Sequence, residues 1–408
     1  MQAYERFVRY AAVYTTSDDN SGTVPTSSRQ LDLAGKLVSE MWDIGLKDVR
    51  VSPKGYVYGF LPAAPGYENA PALGFIAHMD TAPDACGENV KPQIIRDYDG
   101  KDVILPGNGQ VLSTAMFSHL SGLKGRTLIT SDGTTLLGAD DKAGIAEILT
   151  ACERVISGGL PHGRICIGFT PDEEVGKGAD HFDVEEFGAD FAYTVDGGPE
   201  GELEYENFNA ARAVMNIRGV PVHPGSARNI MVNALAVACE INGMLPQAET
   251  PDHTEGYQGF YFLHKLEGNT EQAVIEYSLR DHDMSLLNAR KKTLVQAVRI
   301  LNERHGADTV TLSIKDQYRN MADVINMNFH LIENARLAIR SCGIEPIENP
   351  LRGGTDGARL SYMGLPCPNL GTGGYAYHGC FEHITVEGMD ISTDVIVKLI
   401  TIYSGKVK

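Results

Sequence analysis

Two patterns of apolar and polar positions divide this chain. In the first half, short unbroken apolar runs alternate with helix-period stretches. GFIAHMD is one such run, TLLGAD leads into AGIAEILTACERVI, and RICIGFT and FAYTV follow. Unbroken runs of this length suit strands buried on both faces. Their alternation with helices predicts an α/β fold, a mostly parallel sheet with helices on both faces. Ahead of them, Leu31, Ala34, Leu37, Val38 and Met41 recur at helical spacing after a capping box formed by Ser27 and Gln30. Short strands are expected around residues 55–61 and 73–77.

Near Ala210 the pattern changes. AVMNIR reads as a strand, and ARNIMVNALAVACEINGML as a helix starting after Ser226. GFYFLHKLEG and AVIEYSLRD are two strands, SLLNARKKTLVQAVRILNERHG is a helix, and VTLSIKDQY is a last strand. The order β-α-β-β-α-β is that of a ferredoxin-like split βαβ unit. It predicts an inserted lid domain over 209–318, with the catalytic domain split into 1–208 and 319–408. A helix around 324–342 resumes the αβ character.

Composition narrows the function classes. The 408 residues are 43% apolar and 22% charged, ordinary for a soluble globular protein of two domains. A net charge of −18 argues against nucleic-acid binding, which needs basic patches. Seven cysteines without a CxxC pair favour reduced thiols and a cytoplasmic protein. The opening MQAYERFVRYAAVY lacks the apolar core of a signal peptide. No stretch reaches the roughly 20 apolar residues of a membrane span.

Five side chains able to bind metal lie far apart in sequence: His78, Asp140, Glu174, Asp196 and His378. Four directly follow strand-like apolar runs, and the fifth follows a Gly- and Pro-punctuated one. Parallel strands deliver such residues to one crevice at their carboxyl ends. Three carboxylates and two imidazoles there suit a pair of zinc-like ions. Two divalent ions carry four positive charges against three carboxylates, and a bridging hydroxide would neutralise the remaining one. Each motif alone also has an ordinary structural reading. Asp141 of GADDKAG could simply cap a helix, DEEVG could be a solvated acidic turn, and His78 and Asp80 a polar strand end. In DEEVG one glutamate could ligate while its neighbour serves as a base. If the first strand extends through HMD, Asp80 shares a face with His78 and could orient it. Cys380, two residues from His378, reads better as a buried thiol than as a ligand.

Taken together, HMDTAPD, GADDKAG, TPDEEVG, VDGG, VHPGSA, RGGTDGA and the TGGY–YHG stretch resemble the M20-type metallopeptidases. Within that family the likeness is greatest to its tripeptide aminopeptidases, and it spans essentially the whole chain. The resemblance implies a zinc-exopeptidase-like catalytic domain holding two Zn²⁺ per chain. One ion would be held by His78 and Asp196 and the other by Glu174 and His378, with Asp140 bridging both. Glu173 would be the general base, Asp80 would orient His78, and the Asp140–Asp141 peptide would be cis. His223 of VHPGSA would reach toward the scissile carbonyl, and Arg280 and Arg352 would anchor the substrate carboxylate. For the two arginines, structural salt bridging is an equally good reading of the sequence alone. The stretch after His378 (GCFEH) is unusually apolar for the family. Small peptides are the expected partners, with no nucleic acid or membrane, and a homodimer is compatible. An aminoacylase, dipeptidase or carboxypeptidase of the same family is the alternative. A catalytically dead homologue would have lost a ligand or the base, and all six are present. A Ser or Cys hydrolase lacks its GxSxG elbow.

Overall fold

The computed structural model describes residues 1–405. It divides into two compact units. The first comprises Met1–Tyr205, Asp323–Asn349 and the segment from Thr355 onward; the second comprises Glu206–Ala322 and Pro350–Gly354.

A seven-stranded sheet organises the first unit. Across the sheet the strands are Lys47–Val51, Val57–Leu61, Ile165–Thr170, Leu73–His78, Phe191–Val195, Asn369–Leu370 and Leu203–Glu204. The four central ones, from Ile165–Thr170 to Asn369–Leu370, run parallel, and the edges are antiparallel. Every residue of Leu73–His78 and Ile165–Thr170 is buried, as strands covered on both faces require. From Leu73–His78 the chain crosses through helix Ala139–Gly158 to Ile165–Thr170 on one side. It then returns past Leu73–His78 to pair Phe191–Val195 on the other. That reversal of direction opens a crevice at the carboxyl ends of the central strands. Gly144 lets the crossover helix approach closely. A Cβ there would collide with the Val195 carbonyl oxygen and the Asp141 carboxylate.

The second unit is an antiparallel four-stranded sheet, ordered Phe260–Gly268, Gln272–Asp281, Asn209–Arg218, Val310–Tyr318. Its strands alternate as a one-sided sheet must. Ala211, Ala213, Met215 and Ile217 are buried, while Arg212, Asn216 and Arg218 face outward. Helices Ala234–Met244 and Met284–His305 cover the buried face through Val237, Ile241, Leu287, Leu294 and Leu301. The chain order is β-α-β-β-α-β.

Several local expectations give way to side-chain chemistry. The helix expected to begin with a Ser27–Gln30 capping box starts at Gln30, whose amide donates to Asp172 (2.7 Å). A capping box forms instead at Gln2 and Glu5 of helix Ala3–Ala11. The helix expected after Ser226 begins at Ala234. There the Asn233 Oδ1 accepts from the backbone N–H groups of Leu235 and Ala236, a stronger start signal than Ser226. The stretch around 324–342 is helical as expected but in three pieces, a single α-helical turn at Ala322–Ile325, a 3₁₀ turn at Asn326–Asn328 and the main helix His330–Ser341. No helix among the described residues is long and apolar enough to cross a membrane.

Candidate metal centre

The central strands place the ligand-type side chains. His78 is the last residue of Leu73–His78 and pairs in register with Thr170, after which the chain turns into DEEVG. Asp196 follows directly on Phe191–Val195, and Asp140 opens the crossover helix. His378 sits on loop 376–382, between Gly374–Tyr375 and His383–Thr385, which pair antiparallel.

These side chains meet. His78 Nε2 lies 2.9 Å from Asp140 Oδ1 and 3.5 Å from Asp196 Oδ1. His378 Nε2 lies 3.2 Å from Asp140 Oδ2 and 2.9 Å from Glu174 Oε2. Asp140 thus turns one oxygen toward each imidazole, the disposition of a bridging carboxylate. The Asp140–Asp141 peptide is cis. Asp141 also comes close enough to His78 and Asp196 to share an ion with them. Its two oxygens, however, accept from the backbone N–H groups of His78 (3.0 Å) and Gly144 (3.2 Å), so it acts as a clamp and helix cap.

Other buried carboxylates tie the ligand loops to one another. The strand ends at His78, so Asp80 reaches the imidazole through a turn rather than along a strand face. His78 Nδ1 is 3.1 Å from the Asp80 carbonyl oxygen and 3.3 Å from its carboxylate. The same carboxylate accepts from the backbone N–H groups of Glu173 (3.0 Å) and Glu174 (3.1 Å), so it holds both paired glutamates. Asp172, in the left-handed region at φ 61°, is held by Thr26 and Gln30. Those bonds offset the cost of that backbone conformation. Thr170 Oγ1 donates to Asp356 (2.9 Å).

The cluster is short of positive charge. Burial raises Asp196 and pushes Glu174 up to about 7, with the Asp140 charge adding to the latter. Burial likewise holds Glu173 well above the usual carboxylate range; His78 pulls it down, while Asp196, Asp356 and Glu174 add to the rise. Burial alone would lower His78, but Asp196, Asp140 and Asp80 outweigh it and hold the imidazole well above its ordinary value. Asp140 and Glu174 push His378 up to about 11. Glu174 Oε1 is buried and accepts no hydrogen bond. An orphaned carboxylate oxygen among two imidazoles and two further carboxylates is a donor set that divalent cations satisfy. Next to it, the buried Lys142 donates to the Val13 carbonyl oxygen (2.7 Å). Burial pushes its ammonium down to about 7, with Glu382 and Asp80 pulling the other way.

The remaining candidates lie in the second unit. His223 is exposed, and its Nδ1 accepts from the Gly225 N–H (3.1 Å), which leaves Nε2 as the proton-bearing nitrogen of the neutral ring. Arg280 Nη1 donates to the Leu279 carbonyl oxygen and to Gln317, and its guanidinium lies over the Tyr318 ring. Arg352 donates to the carbonyl oxygens of Gly256 (2.8 Å) and Gln258 (2.9 Å) and to Thr254 (2.8 Å). Much of its donor capacity is therefore spent on loop 254–258.

Sequence reasoning passed over Glu382, Asp172, Asp356 and Lys142. Lys142, Asp172 and Asp356 stand inside motifs already singled out, and Glu382 lies four residues after His378. Acidic residues within otherwise apolar stretches, such as Glu382 in GCFEHITV, were the available signal.

A two-faced α/β unit with this crevice, joined to a four-stranded antiparallel unit, defines the class. The chain belongs to the peptidase family M20/M25/M40, whose model matches residues 132–402. Among relatives, Peptidase T of Clostridium perfringens is 52% identical over 406 residues, covering 99% of this chain and 100% of that one. Two solved structures share the fold. A tripeptidase from Staphylococcus aureus superposes with a TM-score of 0.80 at 21% identity, covering 99% of this chain and 98% of that one. An aminopeptidase PepT from Bacillus cereus does so with a TM-score of 0.79 at 23% identity, with the same coverage.

Proposed function

We propose that this protein is a metal-dependent tripeptide aminopeptidase that releases the N-terminal residue of small peptides. One observation carries the reading: the likeness to Peptidase T runs the full length of the chain, inserted unit included. Two Zn²⁺ would be held by His78 and Asp196, and by Glu174 and His378, with Asp140 shared. When bound, such ions polarise the scissile carbonyl and favour ionisation of the attacking water.

The protein's own groups do the rest. Glu173, next to the ligand Glu174, takes the proton of the attacking water and returns it to the departing amine. Asp80 fixes the backbone of both glutamates and orients His78. His223, with Nε2 as donor, stabilises the oxygen of the scissile carbonyl, and Arg280 pairs with the substrate carboxylate. A cytoplasmic setting accords with seven free cysteines.

A tripeptide has a free ammonium and a free carboxylate at fixed separation. A site that pairs with both measures length, because another length leaves one charge unpaired. The test is a length series of one peptide sequence with the first product identified by chromatography. We expect kcat/KM for the tripeptide to exceed that of the matching dipeptide and tetrapeptide by at least roughly tenfold, ~1.4 kcal/mol. Acetylating the N-terminus should be comparably damaging. Release of the C-terminal residue first, or preference for N-acylated substrates, would move the assignment to another M20-type amidohydrolase.

A further inference from the structure

Glu382 is 1% exposed and lies four residues beyond His378, at the end of the loop that carries it. Its carboxylate leaves that loop and binds the backbone of another. Oε2 accepts from the N–H groups of Leu137 and Gly138 (both 2.7 Å), and Oε1 from the N–H of Asp140 (3.0 Å). Glu382 is therefore a strut joining the loop of one ligand-type residue to the turn of another. Three backbone donors on one carboxylate is a strong, charge-assisted arrangement. The loop's other ties include the Tyr377 hydroxyl, which donates to the Gly198 carbonyl oxygen (3.2 Å), the Ser131 hydroxyl, which donates to the Cys380 carbonyl oxygen (3.4 Å), and the Cys380 thiol, which donates to Gln110 (2.9 Å); His378 itself is 44% exposed on its side chain.

We propose that Glu382 is a positioning residue for metal binding: it sets the distance between Asp140 and His378, so that Asp140 Oδ2 and His378 Nε2 face one ion. The inference rests on the metal reading above but assigns a role to a residue outside the ligand set. A purely structural role, capping the start of helix Ala139–Gly158, predicts a different outcome: loss of thermal stability with metal affinity unchanged.

The test is a Zn²⁺ titration of metal-free protein against a competing chelator, for wild type, Glu382→Gln and Glu382→Ala. The melting temperature of each metal-free protein is measured alongside. Partners of metal ligands typically contribute ten- to a hundredfold in affinity. We expect Glu382→Ala to weaken the ion that Asp140 and His378 would share by that factor. Glu382→Gln, which turns an amide N–H₂ toward one of the backbone donors, should fall between. Should the Ala variant fail to fold, the near-isosteric Gln variant carries the test, with a loss of at least about threefold expected. Wild-type affinity in folded variants, even with a lowered melting temperature, would overturn the proposal. The ratio is read at whatever stoichiometry the wild type shows. A wild type binding fewer than two ions would therefore count against the two-ion reading and leave this comparison decisive on its own.

Discussion

In the α/β unit the polar groups at the sheet end hold one another through buried carboxylates, whereas in the four-stranded unit the candidate functional groups are tied to loops and strands at its surface. Asp141 binds the His78 N–H, Asp80 binds those of Glu173 and Glu174, and Glu382 binds that of Asp140. The His78, DEEVG and Asp140 segments are thus each fixed by a buried carboxylate from another segment, while the Asp196 N–H donates to the Leu370 carbonyl oxygen. His223, by contrast, bonds two residues away, and Arg280 and Arg352 bond to neighbouring strands and loops at the surface. The contrast matches the chemistry asked of each. Metal ligands must hold their geometry before substrate arrives.

The largest effect should come from the paired glutamates. Glu173→Gln should keep its metal and lose on the order of 10²–10⁴ in kcat, the usual worth of general acid–base catalysis. Glu174→Gln should instead lose metal affinity, measured by titration. A reversed pattern would exchange their roles. In the second unit, His223→Ala should lower kcat by roughly 10²–10³-fold with metal content and melting temperature unchanged, as expected for a lost oxyanion donor. Wild-type turnover would remove it from the chemistry.

The two arginines should separate next. Arg352→Ala, which strips three bonds from loop 254–258, should destabilise the protein by about 1–3 kcal/mol in denaturant unfolding. Arg280→Ala should mainly raise KM for substrates with a free C-terminal carboxylate. Equal effects on both measurements would erase the distinction.

Much of this was legible in the sequence where strand pattern and chemistry coincide. The five ligand-type residues follow buried runs or site loops, and the sheet's parallel centre and the β-α-β-β-α-β order follow from periodicity alone. What escaped depends on contacts distant in sequence. Gln30 abandons a capping box because Asp172, 142 residues on, takes its amide. Glu382 looks like an acid in an apolar stretch until Leu137, Gly138 and Asp140 come near it. Nothing in the Arg352 motif marks the bonds it makes to loop 254–258. Local pattern carries no information about such partners.

A further expected effect concerns acid stability. His383 donates from Nδ1 to the Phe381 carbonyl oxygen (2.7 Å), and its Nε2 lies 2.9 Å from Nε2 of His119. Burial, with His119 adding to it, pushes His383 down to about 4, so the folded state keeps it neutral. Its contribution to stability is therefore complete above about pH 6.5 and is lost as pH falls toward 4. His383→Gln should flatten the decline of melting temperature over that window, and an unchanged slope would contradict it.

The proposed function requires the cluster at the sheet end to hold two ions. Its most direct test is stepwise addition of Zn²⁺ to metal-free protein while hydrolysis of a free tripeptide is followed. Two ions should be taken up per chain, with full activity reached only as the second binds and abolished by chelation. Full activity without metal, or in Asp140→Asn stripped of metal, would contradict it.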